Sequence, residues 1–406
     1  MKKKDVLFLC QFFYPEYVSS ATLPFDTAVG LAKNGVSVTA MCGYPKEYLD
    51  PSKAVPKNEF VDGVNIKRVK YLTTKRTNVC GRLLNFFSLF LSFLFHIFEL
   101  KNYKAIIVYT NPPILPLIAL IAKKIFGTKI ILVSYDVYPE IGIKSNITNE
   151  NSFMCKVMNM INKKVFPNLD CLITVCEDMK DFLCKNRNID PNKVISIPNW
   201  YEDTKSIDNL SHKNIFEQKY EGNTVISYLG NLGTCQDMDT IISTIRLLKN
   251  NDKIKFLFAG HGNKMDELKN IVEKEFLTNV DVYGFLRGSD YEDALNISDG
   301  AIVSLVPGLS GLCSPSKAYA YMKASIPVIA IMESSETADN IIKYDSGYVI
   351  ENGNSKEMAE VIIELNNNSE KREFKGKNSR KLFIEKYEKD LCIEKYVKTI
   401  RELLNA

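Results

Sequence analysis

Short apolar runs alternate with amphipathic stretches along almost the whole chain. Residues 6–10 form an apolar run of strand length, followed by the loop QFFYPEYVSSAT. Residues 24–34 repeat apolar positions at helical spacing and stop at Asn34-Gly35, and 36–41 is a second apolar run. Strand, loop, helix and strand make a βαβ unit. The pattern continues with strands at 105–109, 129–134, 171–175 and 194–200 and helices around 113–126 and 151–164. Residues 201–222 are polar and irregular, which marks a linker. The alternation then restarts, with strands at 224–229, 255–259, 280–283, 301–306 and 328–331 and helices at 237–250, 264–275, 291–297 and 315–324. A charged, largely helical tail covers 355–405. The pattern predicts two Rossmann-like α/β domains, 1–200 and 223–385, facing a cleft, with a helix at 386–406 returning to the first domain. Ligands of such sheets bind beyond the carboxyl ends of the strands.

One segment departs from this pattern. Residues 83–100, LLNFFSLFLSFLFHIFEL, are short of the about 20 apolar residues a membrane span needs. Asn85, Ser88, Ser92, His96 and Glu99 recur every three or four positions, a narrow polar stripe on a helix that is otherwise rich in Phe and Leu. The segment reads as a helix that is buried or lies against a bilayer with its Phe-rich face. The neighbouring KRTNVCGR and KKIFGTK supply cations for anionic lipid, or are solvated loops.

At 406 residues, 46% apolar and 25% charged, the chain reads as a folded two-domain protein. A net charge of +4 leaves no strong nucleic-acid footprint. Ten cysteines without a CxxC pair read as reduced thiols of a cytosolic protein. His96, His212 and His261 lie far apart, which argues against a His/Cys zinc site. The start, MKKKDVLFLCQFFYPE, breaks its apolar run too early for a signal peptide.

Candidate chemistry sits at the strand ends. Glycine turns follow three segments, at 230–233, 260–262 and before 315–317. None matches GxGxxG or a P-loop, so nicotinamide, flavin and Walker-type nucleotide sites find little support. Glycine after a strand still lets backbone N–H groups approach a phosphate. In GLCSPSKAYAYMKASIPVIA, Ser314, Pro315, Ser316 and Lys317 stand where a helix begins, which suits either a plain cap or an anion site. Asp237 and Asp239 resemble a DxD motif but fall at a helix start, where acids serve as caps. Asp136 ends the strand of LVSYDVYPE and reads either as a turn residue or as a carboxylate facing the cleft.

Taken in order, these segments resemble the retaining glycosyltransferases of the GT-B fold, family 4, and within it the bacterial branch that builds colanic acid, capsule and O-antigen units. The likeness covers almost the whole chain: LFLCQFFYPEYVSSAT, GVSVTAMCGYP, YTNPPILPLIALIAKKIFGTKIILVSYDVYPE, VISIPNW, GNLGTCQDMDTII, FLFAGHGNKMDEL and PSKAYAYMKASIPVIA. It implies that Asp136, with Glu140 beside it, is catalytic and contacts the donor sugar near the reacting carbon. It places Gly230, Asn231, Gly233, Gln236, Gly260, Gly262, Ser314, Ser316, Lys317 and Tyr319 on the donor side, and Tyr14, Glu16 and Ser19 on the acceptor side. The broad family binds diphosphate with an arginine and a lysine, where this chain has Asn231 and Gln236, as its branch commonly does. Lys317 is then the first candidate for the missing positive charge and Arg287 the second. Two family glutamates fall at Leu312 and Ala320, so Tyr319, Ser316 or a backbone group has to hold the ribose. The resemblance implies transfer without a metal or other cofactor. It implies a UDP-sugar donor such as a UDP-N-acetylhexosamine in preference to a GDP-sugar, and an acceptor saccharide on polyprenyl diphosphate at the cytoplasmic face of the plasma membrane. Ala320 and the neutral pair leave two alternatives, a non-catalytic nucleotide-sugar-binding scaffold and a GT-B-type sugar-nucleotide epimerase.

Overall fold

The computed structural model describes residues 3–45, 55–74, 79–203 and 214–405. The cations Lys75 and Arg76, the Arg82 side chain and linker residues 204–213 lie outside it. Strands β1 (Lys4–Cys10), β2 (Val38–Gly43), β3 (Asn58–Val61), β4 (Val64–Val69), β5 (Tyr103–Tyr109), β6 (Lys129–Ser134), β7 (Cys171–Thr174) and β8 (Val194–Ser196) form one sheet. Its order is β3-β4-β2-β1-β5-β6-β7-β8, parallel except for the β3–β4 hairpin. A second, parallel sheet holds β9 (Thr224–Asn231), β10 (Ile254–His261), β11 (Val280–Tyr283), β12 (Gly300–Ser304), β13 (Val328–Ile331) and β14 (Gly347–Ile350) in the order β11-β10-β9-β12-β13-β14. Central strands such as β1, β5 and β6 are continuous apolar runs because helices cover both faces of the sheet.

The strand order reverses direction between β1 and β5 in the first sheet and between β9 and β12 in the second. Loops leaving neighbouring strands diverge at such points and open a crevice. The chain crosses between domains near Trp200 and Tyr201 and returns near Tyr387, where the Tyr201 amide donates to the Tyr387 carbonyl at 3.1 Å. Lys389 pairs with Asp26 at 2.9 Å, and helix Lys389–Asn405 adds Cys392, Tyr396 and Ile400 to the core beneath β1 and β5.

Element boundaries differ from the sequence pattern in instructive ways. The first helix spans Ser19–Lys33 and carries Pro24 inside it. The pattern starts that helix at the proline, because Ser-Ser-Ala-Thr reads as loop and proline suits a first turn. The β3–β4 hairpin has no counterpart in the pattern. The linker ends in an ordered piece: Tyr220 donates to Asp281 at 2.8 Å and ties residues 214–220 to the sheet edge at β11.

The polar stripe of the Phe-rich segment has a specific use. The segment forms helix Val79–Phe95 and a 3-10 turn, Ile97–Asn102. Asn85 accepts from the Thr74 amide at 2.8 Å, Ser88 accepts from the Leu72 amide at 2.9 Å and Ser92 donates to the Lys70 carbonyl at 2.6 Å. Glu99 pairs with Lys67 at 2.6 Å. The stripe thus satisfies the backbone that leaves β4. Leu89 and Phe93 are buried, while Leu84, Phe87, Leu91, Phe95 and Phe98 face outward. Among the described residues, no helix is long and apolar enough to cross a membrane.

Candidate active site

β6 delivers Asp136 to the cleft two residues past its end. Thr110, at the end of β5, accepts from the Tyr135 amide at 3.2 Å and holds the departing backbone. The next amide, Val137, donates across the cleft to the Leu312 carbonyl at 2.9 Å. The Tyr138 hydroxyl donates to Asp136 Oδ2 at 3.4 Å. Burial disfavours the charged carboxylate and raises the Asp136 pKa to about 6, with the Tyr138 hydroxyl acting in the opposite direction.

Glu140 occupies a different position. Arg187 Nη2 lies 2.7 Å from both of its carboxylate oxygens, and the Arg187 side chain is only 10% exposed. Arg187 also reaches the Tyr138 carbonyl at 3.3 Å, which Asn162 holds at 2.8 Å. The structure therefore commits Glu140 to a buttress behind the Asp136 loop rather than aiming it into the cleft. Arg187 and Asn162 lie 51 and 26 residues from Asp136 in sequence, and nothing in their local pattern marks them.

The donor side is built from two turns stitched together. Gly230, next to last in β9, has φ +128°, and a Cβ there would sit 2.9 Å from Lys317 Cε. Gly260 lies so close that a Cβ would stand 1.9 Å from the Gly230 carbonyl oxygen. Gly262 and Asn231 belong to the same contact, with the Leu232 amide donating to the His261 carbonyl at 2.7 Å. Gln236 folds back to accept from the Gly233 amide at 2.7 Å, so its side chain closes the turn.

Lys317 lies over Gly230, its ammonium 5.2 Å from the centre of the Tyr228 ring. Burial lowers its pKa to about 8, and no carboxylate is among the neighbours that offset this. Cys313 feels both the Asp136 carboxyl and the Lys317 ammonium, which places acid and cation in one cleft. Helix Lys317–Lys323 has seven residues, and Ser316 makes no side-chain cap. So short a helix contributes a weak dipole, and the positive charge here rests on Lys317 itself.

Other sequence candidates are placed as follows. Ser314 and Tyr319 bond to each other at 2.8 Å, and Tyr319 stacks on Tyr387 with centroids 4.2 Å apart, turned into the core. Ala320 and Leu312 are buried, so no carboxylate stands at either position. Arg287 is exposed and bonds the Tyr17 hydroxyl across the cleft mouth at 2.6 Å. On the acceptor side Tyr14 stacks on Phe25 at 4.7 Å, Glu16 accepts from the Phe13 amide at 3.3 Å, and Ser19 opens its helix in solvent. Asp237 caps its helix through the Thr240 amide at 3.1 Å. No group of three His, Cys, Asp or Glu side chains comes together among the described residues to hold a metal.

Two family models match this arrangement end to end, "Glycosyltransferase Family 4" over residues 21–205 and "Glycosyl transferases group 1" over 212–382. The chain has the GT-B fold, with one domain matching each of these two glycosyltransferase models. Among solved structures, the GT-B chain resembles WaaG, a glycosyltransferase involved in lipopolysaccharide biosynthesis, with TM-score 0.70 at 14% identity, covering 97% of this chain and 99% of that one. It also resembles Anabaena Alr3699/HepE in complex with UDP and glucose, with TM-score 0.70 at 14% identity over 98% and 100% of the two chains. A curated relative, the probable glycosyltransferase WbjE of Pseudomonas aeruginosa, is 28% identical over 235 residues. That alignment spans 57% of this chain and 58% of the relative.

Proposed function

We propose that the chain moves a sugar from a nucleoside diphosphate sugar, a UDP-sugar foremost, to a lipid-linked saccharide, with retention at the anomeric carbon. The observation that carries this reading is a desolvated carboxyl, Asp136, and a desolvated ammonium, Lys317, both close enough to act on Cys313 in the cleft of two Rossmann-like domains. In this reaction the bond from the anomeric carbon to the β-phosphate oxygen breaks. A bond to the acceptor oxygen forms on the same face, and the acceptor proton passes to the departing phosphate. Negative charge grows on the leaving diphosphate, where a fixed cation stabilises it most in a water-poor site. Asp136 lies on the opposite domain and meets the sugar, aligning it for attack. The UDP and glucose held by the solved HepE chain support a UDP-sugar donor.

Mass spectrometry of reactions with UDP- and GDP-sugars and polyprenyl-diphosphate-linked saccharides tests the reading. The expected result is UDP release with an acceptor heavier by one sugar. Tight nucleotide-sugar binding without transfer across the panel replaces this reading with a scaffold. Isomerised donor sugar in the absence of acceptor replaces it with an epimerase.

A lipid-linked acceptor requires contact with a bilayer, and the first domain presents a surface suited to one. Leu84, Phe87, Leu91, Phe95 and Phe98 form one outward stripe, with Phe95 86% and Phe98 69% exposed. Phe98 meets Phe126 at 6.0 Å, which joins the stripe to helix Pro116–Phe126 with its exposed Ile125. Helix Phe153–Val165 packs alongside that helix and adds Phe153 and Met160. Exposed Lys124, Lys156, Lys163 and Lys164 accompany this apolar face, the combination that binds an anionic membrane surface. Flotation with phosphatidylglycerol-rich vesicles is expected to carry the parent protein. Phe87→Asp and Phe95→Asp are each expected to weaken binding by roughly ten-fold or more, given the ~1.5–3 kcal/mol of a buried aromatic side chain. A parent protein that floats with neither anionic nor neutral vesicles removes the membrane from the proposal.

A further inference from the structure

Two helices from opposite domains meet end to end across the cleft. Helix Glu177–Asn186 follows β7, and helix Glu336–Lys343 follows β13. A helix N-terminus exposes amides with no intrahelical partner, and two such ends facing each other repel as like partial charges. Here each end is capped by a carboxylate from the other helix. The Glu177 amide donates to Glu336 Oε2 at 2.6 Å, and the Glu336 amide donates to Asp178 Oδ2 at 2.6 Å. Cys176 offers its helix no side-chain cap, so Glu336 fills that role from the other domain. Ser335 caps its own helix at the Ala338 amide, 3.3 Å away, which leaves the Glu336 amide for Asp178.

The contact is in register with the candidate active site. Gly311 packs so closely on Asp178 that a Cβ at Gly311 would lie 2.9 Å from the Asp178 carbonyl oxygen. The next residue, Leu312, accepts the Val137 amide at 2.9 Å. Val137 adjoins Asp136, and Leu312 is five residues before Lys317. Contacts therefore link the capped helix ends to the segments that carry Asp136 and Lys317. Charge alone does not explain the arrangement. Burial and the neighbouring Asp339, Asp181 and Glu177 carboxylates act against ionised Asp178, and burial, Asp178 and Glu177 act against ionised Glu336, with Lys386 the cation that favours it.

We propose that Glu336 and Asp178 form a reciprocal cross-domain clasp that sets the closed register of the two domains, which makes both of them positioning residues for sugar transfer. The inference rests on the glycosyltransferase reading above, and its first test needs no substrate. Hydrogen exchange on the full chain, read by mass spectrometry, follows peptides containing Glu177, Glu336 and Val137. Glu336→Ala is expected to speed exchange at the Glu177 amide and Asp178→Ala at the Glu336 amide, each by roughly five- to thirty-fold, the range that lost helix caps produce. Both are expected to speed exchange at Val137. Glu336→Gln and Asp178→Asn keep an acceptor oxygen and are expected to recover most of the protection, which separates a lost clasp from a misfolded chain. With donor and acceptor present, kcat is expected to fall by a similar factor in the Ala variants while UDP affinity holds. The double Ala variant is expected to be no worse than the worse single one, because either change opens the same contact. Unchanged Val137 exchange in both Ala variants overturns the clasp, and lost protection with unaltered kcat overturns the positioning role. A parent protein that transfers no sugar overturns the functional reading instead, and the exchange measurement still decides the clasp.

Discussion

Asp136→Asn is expected to slow transfer by roughly a hundred- to a thousand-fold while UDP affinity stays within about two-fold of the parent, the pattern of a group that acts on the transition state. The split follows from position. Asp136 belongs to the first domain, at the end of β6, whereas the diphosphate candidates Gly230 and Lys317 belong to the second. Asparagine keeps the shape and can still accept from the Tyr138 hydroxyl, so the fold around it is preserved. What it removes is charge. Burial raises the Asp136 pKa to about 6, and in the proposed reaction the ionised form is the one that serves the reacting sugar. The rate of the parent enzyme is therefore expected to rise with pH through about 6. In the Asn variant that acid limb disappears, a signature that a merely structural aspartate does not give. Glu140→Gln provides the contrast. It weakens the Arg187 buttress and is expected to cost roughly ten-fold at most with the acid limb intact, as loss of a supporting hydrogen bond does. A pH–rate profile that is unchanged in Asp136→Asn ends its assignment to the reacting centre.

Much of this architecture was legible in the sequence because parallel α/β sheets write themselves as apolar runs. The strands at 280–283 and 328–331 coincide with β11 and β13. Gly230 and Gly260 read as turns that follow strands and admit a phosphate, whereas the structure keeps both within the ends of β9 and β10, where their backbones touch. The positions of Asp136 just past a strand end and of Lys317 at a helix start were legible for a related reason. The residues that organise them were not. Arg187 and Asn162 act on the Tyr138 carbonyl from distant helices, and their sequence neighbourhoods look like ordinary helix surface. Tyr319 misled in the opposite direction. Its place beside Ala320 suggests a ribose contact, but successive helical side chains point about 100° apart, and the structure turns its ring onto Tyr387. The stripe of Asn85, Ser88, Ser92 and Glu99 was visible as a stripe, yet its partners in residues 67–74 depend on how the chain leaves β4. Single positions, read without their neighbours in space, carry no such information.

Lys317→Ala is expected to weaken UDP binding by roughly ten- to several-hundred-fold and to leave uridine binding unchanged, since the usual ~1.5–3 kcal/mol of a charged hydrogen bond is lost only when phosphates are present. Titration calorimetry of both ligands measures the contrast. Arg287→Ala is expected to do far less, because that guanidinium is already engaged by the Tyr17 hydroxyl at the cleft mouth. Proton linkage sharpens the test. Burial lowers the Lys317 pKa to about 8, so half of the empty sites have lost the ammonium by that pH, and UDP affinity is expected to decline as pH rises through about 8. An incoming diphosphate restores the ammonium, so binding near pH 8 is expected to take up a proton, visible as a dependence of binding enthalpy on the buffer. Lys317→Arg stays charged throughout and is expected to lose that alkaline decline. Stability moves the other way from binding. A lysine whose folded pKa lies below its unfolded value carries a folding penalty that is full below both values, neutral pH included, and that fades as pH rises from the folded value to the unfolded one. Lys317→Ala removes a desolvated charge and is expected to hold or raise the melting temperature while donor binding collapses. A lysine kept at a cost to the fold is one retained for a ligand, and a variant that melts earlier yet binds UDP as the parent does would show Lys317 to be a structural lysine after all.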